Sequence, residues 1–277
     1  MSLTEGKQFH HQTWFVLPIK TYTNALLPFA EMDTLCEYVA ETEQPMIQFW
    51  QLKNTFILGM KDTRTPDFHK GLQAITQTAF SPVLRNSGGL GVISDDGVLN
   101  LCVFFSNKAK NWSIDEAYEW VFQWVKQAFP TLPIKAYEIT NSYCPGTYDL
   151  SVDGLKIAGL AQRRVKNGIS VSLYLSVNGN QHYRGESVRL FYQEALNGEE
   201  PEALGYPNVA PEVMTTLSRL KNQELTIDEV QEQLLRPLKN ETNIAFTTLE
   251  QLPNQEFLQE KILQNLEKME KRNELLR

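Results

Sequence analysis

Cys144 and Lys156 are the two side chains of this sequence whose types and spacing point most directly to covalent chemistry. Cys144 stands on a Pro145-Gly146 turn, and Lys156 lies on the return strand of a hairpin expected around Asp153-Gly154. A thiolate is a nucleophile that a nearby cation favours, and an amine can move protons to and from a leaving group. A thiol and an amine on either side of one hairpin therefore suit acyl transfer through a thioester.

The distance between these two groups depends on how the turn folds. A two-residue turn predicts that Ser151 pairs with Lys156 and that Asp149 pairs with Ala158. At about 3.3 Å per residue, Cys144 would stand roughly 20 Å or more from Ser151 along an extended chain. The turn must therefore bring the thiol back over the hairpin. A packed cysteine and a solvated lysine are the alternative.

A second candidate element is the segment 85–91, which reads Arg-Asn-Ser-Gly-Gly-Leu-Gly. Its free amides could receive an anion or a carbonyl oxygen, and the missing side chains would let an acyl chain lie against the backbone. A bulged strand at a bend of a sheet explains the same composition equally well.

Charge and hydropathy exclude several classes of protein. The chain has 277 residues and a net charge of −7, without a block of basic residues, which argues against nucleic acid as a partner. No apolar run approaches the roughly 18 residues that span a bilayer, so no membrane interaction is expected. The amino terminus lacks the apolar core of a signal peptide, which predicts a cytoplasmic protein.

The cysteines and histidines do not predict a disulfide framework or a metal site. The three cysteines, Cys36, Cys102 and Cys144, are odd in number and widely spaced, as in a protein of a reducing compartment. No CxxC or HxxxH pair occurs, and the adjacent His10-His11 pair lies in a polar terminus, where solvation is expected.

The helices that must position these groups follow from apolar spacing and capping signals. Helices are expected over 26–39, 66–79 and 186–196, and a last one from about Asn254. Ser113 and Thr226 each begin a capping box, with Glu116 and Glu229 three residues later, and so predict two more helix starts.

Strands are expected between these helices. We expect an edge strand at 15–17 before Pro18, strands at 46–50 and 55–59, and hairpins around Asp96-Gly97, Asp153-Gly154 and Asn167-Gly168. Apolar residues alternate with polar ones from Ile169 to Val177, which predicts a half-buried strand. The order of elements indicates an α+β domain with a largely antiparallel sheet.

Taken together, the motifs resemble the biotin/lipoate protein ligase and octanoyltransferase superfamily. Its Arg-Arg-x-Ser-Gly-Gly-Gly segment resembles 85–91, its acidic-Gly hairpin and Asn resemble Asp96-Gly97 with Asn100, and its Lys-x-x-Gly-x-Ala-Gln strand resembles 156–162. The resemblance implies a mixed, largely antiparallel sheet flanked by helices, in a catalytic domain over 1–211 with its core at about 45–180. A helical segment over 212–277 would pack on that domain.

One branch of the superfamily is most similar to 143–150, which reads Tyr-Cys-Pro-Gly-Thr-Tyr-Asp-Leu, and to Ala-Gln-Arg-Arg at 161–164. This branch comprises the octanoyl-[glycine cleavage H protein]:protein N-octanoyltransferases, or lipoyl amidotransferases. The resemblance implies that Cys144 takes an octanoyl group from a lysine of the glycine cleavage H protein as a thioester. It would then pass the group to a lysine of an E2 lipoyl domain, in lipoate biosynthesis.

The same resemblance assigns roles to the other motif residues. Lys156 would lower the pKa of Cys144 and shuttle protons. The residues expected to line the acyl tunnel are Arg85, Ser87, Gly88, Gly89, Gly159 and Ala161.

Three departures from the superfamily motifs affect the reaction that is expected. Asn86 replaces the second arginine, Leu90 replaces the third glycine, and Ser94-Asp95 replaces the His-Asp common in ligases. ATP-dependent ligases hold an adenylate at these positions, so the resemblance implies transfer without a cofactor. Three alternatives stay open: transfer from octanoyl-acyl carrier protein, ATP-dependent lipoate or biotin ligation, and a module that only binds a lipoylated domain.

Overall fold

The computed structural model describes residues 12–108 and 110–277, so the His10-His11 pair lies outside the described residues. The strands are β1 (Thr13–Tyr22), β2 (Met46–Leu52), β3 (Thr55–Leu58), β4 (Ser81–Leu84), β5 (Val92–Ser94), β6 (Val98–Ser106), β7 (Lys135–Ala136), β8 (Leu150–Val152), β9 (Leu155–Val165), β10 (Gly168–Ser176) and β11 (Asn243–Phe246). The α-helices are α1 (Leu27–Thr42), α2 (Phe68–Ile75), α3 (Ile114–Ala128), α4 (Gln181–Ala195), α5 (Leu217–Lys221), α6 (Ile227–Glu241) and α7 (Gln255–Asn273).

Most strands form one eight-stranded sheet in the order β11-β1-β2-β6-β10-β9-β8-β7, and a three-stranded sheet has the order β4-β3-β5. In the large sheet β1 runs parallel to β11 and to β2. Every neighbouring pair from β2 to β7 is antiparallel. This confirms the expected α+β class, with a mixed and largely antiparallel sheet flanked by helices.

Both faces of the large sheet are covered. The apolar residues of β10, such as Ile169 and Val171, share one core with α3 and α6. On the other face α1, α4, α7 and the small sheet form a second core. Ser170 on this second face is fully buried, so the expectation that β10 is half-buried is wrong. The helix α1 packs against the polar face of β10 and covers it.

The two capping boxes are confirmed. The Ser113 hydroxyl accepts a hydrogen bond from the Glu116 amide, and the Glu116 carboxylate accepts one from the Ser113 amide. Thr226 and Glu229 begin α6 in the same way. These signals act within four residues, so they do not depend on the rest of the fold.

The edge strand expected at 15–17 is in fact part of β1, which continues through Pro18. Its first four residues pair with β11, from a distant part of the chain, and its other side pairs with β2. A shift of register between Leu17 and Lys20 accommodates the proline, which has no amide hydrogen to donate.

Two of the three expected hairpins need correction. Asp96-Gly97 forms a turn, but β5 pairs with β3 in the small sheet, whereas β6 pairs with β2 and β10. The turn at Asn167-Gly168 is displaced by one residue, because Gly168 already pairs with Val165. A side chain at Gly168 would overlap the Cys36 carbonyl oxygen, so close approach of α1 explains this glycine.

The hairpin around Asp153-Gly154 is confirmed, because Val152 pairs with Leu155 and both turn residues have positive φ.

The segment 212–277 contributes α5, α6 and α7, but it also contributes β11 to the large sheet. Among the described residues, no helix combines the length and the apolar character needed to cross a membrane.

Candidate active site

Cys144 lies where the glycine-rich segment meets the β8–β9 hairpin. Its side chain is half-buried, and its backbone has a φ of 46°. The following Pro145 favours an extended backbone with negative φ at Cys144, so this positive φ is an uncommon geometry for a residue with a side chain. The Leu90 amide donates a hydrogen bond to the Cys144 Sγ atom at 3.2 Å. The turn therefore directs the thiol toward the glycine-rich segment.

Lys156 is buried directly beneath this turn, with only 1% of its surface exposed. Its ammonium group donates hydrogen bonds to the carbonyl oxygens of Tyr143 and Cys144, both at 2.9 Å, and to the Ser142 hydroxyl at 3.0 Å. The expectation that the turn brings Cys144 back over the hairpin is confirmed. The lysine contacts the backbone of the cysteine, whereas the Leu90 amide and the Arg85 guanidinium contact its sulfur.

Asp149 completes this buried network, although the sequence motifs gave it no role. Its Oδ1 atom lies 2.8 Å from Lys156 Nζ, in an ion pair that is almost wholly buried. Its Oδ2 atom accepts hydrogen bonds from the amides of Ile139 and Gly146. Burial raises the pKa of the Asp149 carboxyl, and the adjacent Lys156 ammonium opposes this shift. One carboxylate thus holds both the lysine and the turn that carries Cys144.

The sequence contained a signal for this ion pair. Ser151 pairs with Lys156 as expected, but a bulge between Leu150 and Ser151 makes Leu150, and not Asp149, the partner of Ala158. Residues two apart on a strand point to the same face, so Asp149 is a diagonal neighbour of Lys156. Diagonal pairs on one face would have identified the carboxylate without the structure.

Arg85 lies at the end of β4 and is 7% exposed. Its Nη2 atom is 3.7 Å from Cys144 Sγ. The same guanidinium donates hydrogen bonds to the carbonyl oxygens of Gly88, at 2.8 Å, and Leu90, at 3.0 Å. These bonds curl the glycine-rich segment around the arginine and aim the Leu90 amide at the sulfur.

An apolar cavity of about 60 Å³ lies beside Cys144 and opens to solvent. Four of the predicted tunnel residues line it: Arg85, Ser87, Gly159 and Ala161. Within the described residues, Gly88, Gly89 and Lys156 lie outside this lining. The wall also contains apolar side chains that the sequence motifs did not identify: Phe29, Met32, Trp50, Ile57, Val92, Leu173 and Tyr174. The arrangement suits a short aliphatic chain attached to the thiol.

Gly159 is required by the shape of this cavity. It pairs with Tyr174 across β9 and β10, and a Cβ atom there would lie 2.8 Å from the Tyr174 ring. The bare backbone lets the Tyr174 ring lie over β9 and form part of the cavity wall. A residue with a side chain at this position would displace the ring.

The positions that depart from the ligase motifs make internal contacts. The Asn86 side-chain amide donates to the Phe29 carbonyl oxygen at 3.0 Å. The Ser94 hydroxyl accepts a hydrogen bond from the Asn100 side-chain amide at 2.8 Å. Both side chains stabilise neighbouring elements of this fold.

A buried carboxyl supports the glycine-rich segment from behind. Asp62 accepts hydrogen bonds from the Tyr192 hydroxyl at 2.7 Å and the Gly59 amide at 2.8 Å. The Tyr192 hydroxyl in turn accepts one from the Gly91 amide. Burial raises the pKa of Asp62 to about 6.

The fold is that of known lipoate-protein ligases. It is similar to a lipoate-protein ligase A solved with ATP, at a TM-score of 0.71 and 15% identity, covering 93% of this chain and 95% of that one. It is also similar to a bipartite lipoate protein ligase from Thermoplasma acidophilum, at a TM-score of 0.69 and 16% identity, covering 94% and 93%. Residues 24–239 match the model of the lipoyl protein ligase A/B catalytic domain, and the chain belongs to that family.

Sequence comparison identifies the branch. The chain is 44% identical to an octanoyl-[GcvH]:protein N-octanoyltransferase of Oceanobacillus iheyensis, over 83% of this chain and 85% of that protein. The same enzyme of Bacillus velezensis is 37% identical over 91% and 88%, and that of Staphylococcus aureus is 36% identical over 85% of each. Within the family, the chain belongs with the octanoyl-[GcvH]:protein N-octanoyltransferases.

Proposed function

We propose that this protein transfers an octanoyl group from a lysine of GcvH, the glycine cleavage H protein, to a lysine of an E2 lipoyl domain through a thioester on Cys144. One observation carries the proposal: the thiol lies at an apolar cavity with the Leu90 amide on its sulfur and Lys156 beneath its backbone. The names of the relatives support the octanoyl group and the GcvH donor. The acceptor rests on the resemblance of the motifs.

In the first half of the proposed reaction, the Cys144 thiolate attacks the carbonyl carbon of octanoyl-lysine. A carbon–sulfur bond forms, the amide carbon–nitrogen bond breaks, and the Lys156 ammonium gives a proton to the leaving amine. In the second half, the amine of the acceptor lysine attacks the thioester and neutral Lys156 takes its proton. The thiolate and the ammonium are then restored.

The Leu90 amide has a second use in this scheme. A donor that lies 3.2 Å from the sulfur also lies close to the carbonyl carbon that the sulfur attacks. It can therefore donate to the oxyanion that forms there, as backbone amides do in other acyl transfers. The apolar cavity would hold the aliphatic chain and orient the carbonyl group.

The thioester is tested by intact-mass measurement after incubation with octanoyl-GcvH. The native protein should gain one octanoyl group on Cys144, and Cys144→Ala should gain none and transfer nothing. If the Cys144→Ala variant still attaches octanoate when it is supplied with free octanoate and ATP, and releases pyrophosphate, the protein is instead a ligase.

The donor and the proton carrier need separate measurements. Incubation with octanoyl-acyl carrier protein in place of octanoyl-GcvH should leave Cys144 unmodified. If only the carrier protein acylates Cys144, the assignment of GcvH as the donor is wrong.

Lys156→Ala should lose transfer at neutral pH, so full activity in that variant would remove the lysine from the mechanism. A protein that binds lipoylated domains without acylation of Cys144 would be only a binding module.

A further inference from the structure

The charges around Cys144 divide into two pairs. Lys156 and Asp149 form one pair at 2.8 Å, and both are at most 2% exposed. The positive charge of Lys156 is therefore largely neutralised by its own carboxylate partner before any thiolate forms. A second cation is needed to compensate a negative charge on the sulfur.

Arg85 is the cation that contacts the sulfur, with Nη2 at 3.7 Å from Sγ. Its other hydrogen bonds go to the uncharged carbonyl oxygens of Gly88 and Leu90. Among the ion pairs of the described residues, none joins Arg85 to a carboxylate. Arg85 also opposes the raised pKa of the buried Asp62 through its charge, but the hydrogen bonds of Asp62 come from Tyr192 and the Gly59 amide.

We propose that Arg85 is the counter-ion of the Cys144 thiolate and hence a catalytic residue of this site. The proposal rests on the proposed function in one respect, namely that Cys144 is the nucleophile. It separates two tasks that the motif resemblance assigned to Lys156. Arg85 stabilises the thiolate, and Lys156 carries the proton.

The charge balance through the reaction supports this division. Before attack, the thiolate is balanced by Arg85 and the Asp149 carboxylate by Lys156. When the thioester has formed and Lys156 has given its proton to the leaving amine, the thiolate and ammonium charges have disappeared together. Arg85 and Asp149 then remain as one cation and one anion. The charges of these four groups sum to zero in both states, so neither step leaves an unbalanced charge among them.

Gly89 keeps the approach between the guanidinium and the sulfur open. Its φ is 102°, a conformation that residues with side chains rarely adopt. A Cβ atom at this position would overlap Arg85 Nη2 and lie 3.2 Å from Cys144 Sγ. A Cβ atom at the neighbouring Gly88 would have no neighbour within 4 Å. The two glycines therefore provide a matched pair of substitutions.

Labelling of the thiol without any acyl donor tests the role of Arg85. Cys36 and Cys102 are fully buried, so rapid alkylation reports on Cys144, and peptide mass spectrometry confirms the site. Arg85→Gln should slow alkylation by iodoacetamide at neutral pH about tenfold, because the thiolate loses its counter-ion. It should also lower the rate with anionic iodoacetate relative to neutral iodoacetamide, since that ratio senses positive charge at the sulfur.

Two further variants separate charge from structure. Arg85→Lys should retain most of the iodoacetate preference, and Arg64→Gln, at an exposed arginine, should behave as the native protein. Gly89→Ala keeps every charge but displaces the guanidinium, so it should slow alkylation, whereas Gly88→Ala adds a methyl group with no neighbour within 4 Å and should slow it much less. Circular dichroism and the melting temperature verify that each variant is folded.

An Arg85→Gln protein that is folded and keeps both the native alkylation rate and the native reagent ratio would overturn the proposal. Equal effects of Gly88→Ala and Gly89→Ala would overturn its geometric basis. Failure of the proposed function would look different: the native protein would not be acylated by octanoyl-GcvH, while labelling would still report on Arg85.

Discussion

Side chains from three separate segments meet around the turn that carries Cys144. Arg85 comes from the end of a strand in the small sheet, Lys156 from β9, and Asp149 from the residue just before β8. Because Asp149 binds both Lys156 and the Gly146 amide, it couples the position of the lysine to the position of the nucleophile. The carboxylate does not contact the sulfur, so its role is to position Lys156 and the turn that carries Cys144.

We expect Asp149→Asn to slow acylation of Cys144 by octanoyl-GcvH about a hundredfold, because the ammonium of Lys156 loses its anionic partner and its fixed geometry. Single-turnover kinetics should show a lower rate at saturating donor with little change in the donor concentration needed for half-saturation. Asp153→Asn is the matched control, since Asp153 is exposed at a turn that asparagine also favours. Native acylation rates in Asp149→Asn would contradict the positioning role.

The helix α7 fixes the strand that carries Arg85. The Asn273 side chain accepts a hydrogen bond from the Leu84 amide at 2.8 Å and donates one to the Leu84 carbonyl oxygen at 2.9 Å. Arg272 donates to the Arg85 carbonyl oxygen at 2.9 Å. β4 is an edge strand of the small sheet, and these bonds take the place of the hydrogen bonds that a further strand would make there. A helix close to the carboxyl end of the sequence thereby holds one side of the candidate active site.

Asn273→Ala should lower the free energy of unfolding by about 1–3 kcal/mol, because it leaves two backbone groups of Leu84 without a protein partner. Urea denaturation followed by circular dichroism measures this loss. The exposed Lys271 lies on the same turn of α7, and Lys271→Ala should change the stability by less than about 0.5 kcal/mol. Equal stabilities of the two variants would show that the Leu84 contacts do not matter.

The molecule as a whole encloses a titratable carboxyl between the small sheet and α4. Asp62 is fully buried, and its pKa of about 6 lies above the ordinary 3.8. The folded protein therefore retains a proton that the unfolded chain releases between these two values. This contribution stabilises the fold at low pH and is lost as the pH rises from about 4 to about 6.

Asp62→Asn should remove this part of the pH dependence. Between pH 4 and pH 7, the unfolding free energy of the native protein should change relative to that of the variant by on the order of 1–3 kcal/mol, favouring the native protein at low pH. Urea denaturation at several pH values measures both curves. Parallel curves for the two proteins would mean that Asp62 ionises in the folded state as easily as in the unfolded chain.

Local signals in the sequence were sufficient for several parts of this structure. The capping boxes at Ser113 and Thr226 and the turn at Asp153-Gly154 occur as expected, because each involves groups within a few residues of one another. The motifs around Cys144 and Lys156 likewise led to the family to which the chain belongs. These features need no knowledge of which elements meet in space.

Other features were decided only by contacts between distant segments. The strands that flank Asp96-Gly97 join different sheets, because each finds a better partner elsewhere than its neighbour along the chain. β1 is covered by β11, and a bulge in β8 makes Leu150, and not Asp149, the partner of Ala158. Pairing and register depend on which edges and faces remain free once the rest has folded, and sequence spacing does not contain that information. The contact of Arg85 with the Cys144 sulfur belongs to this second group.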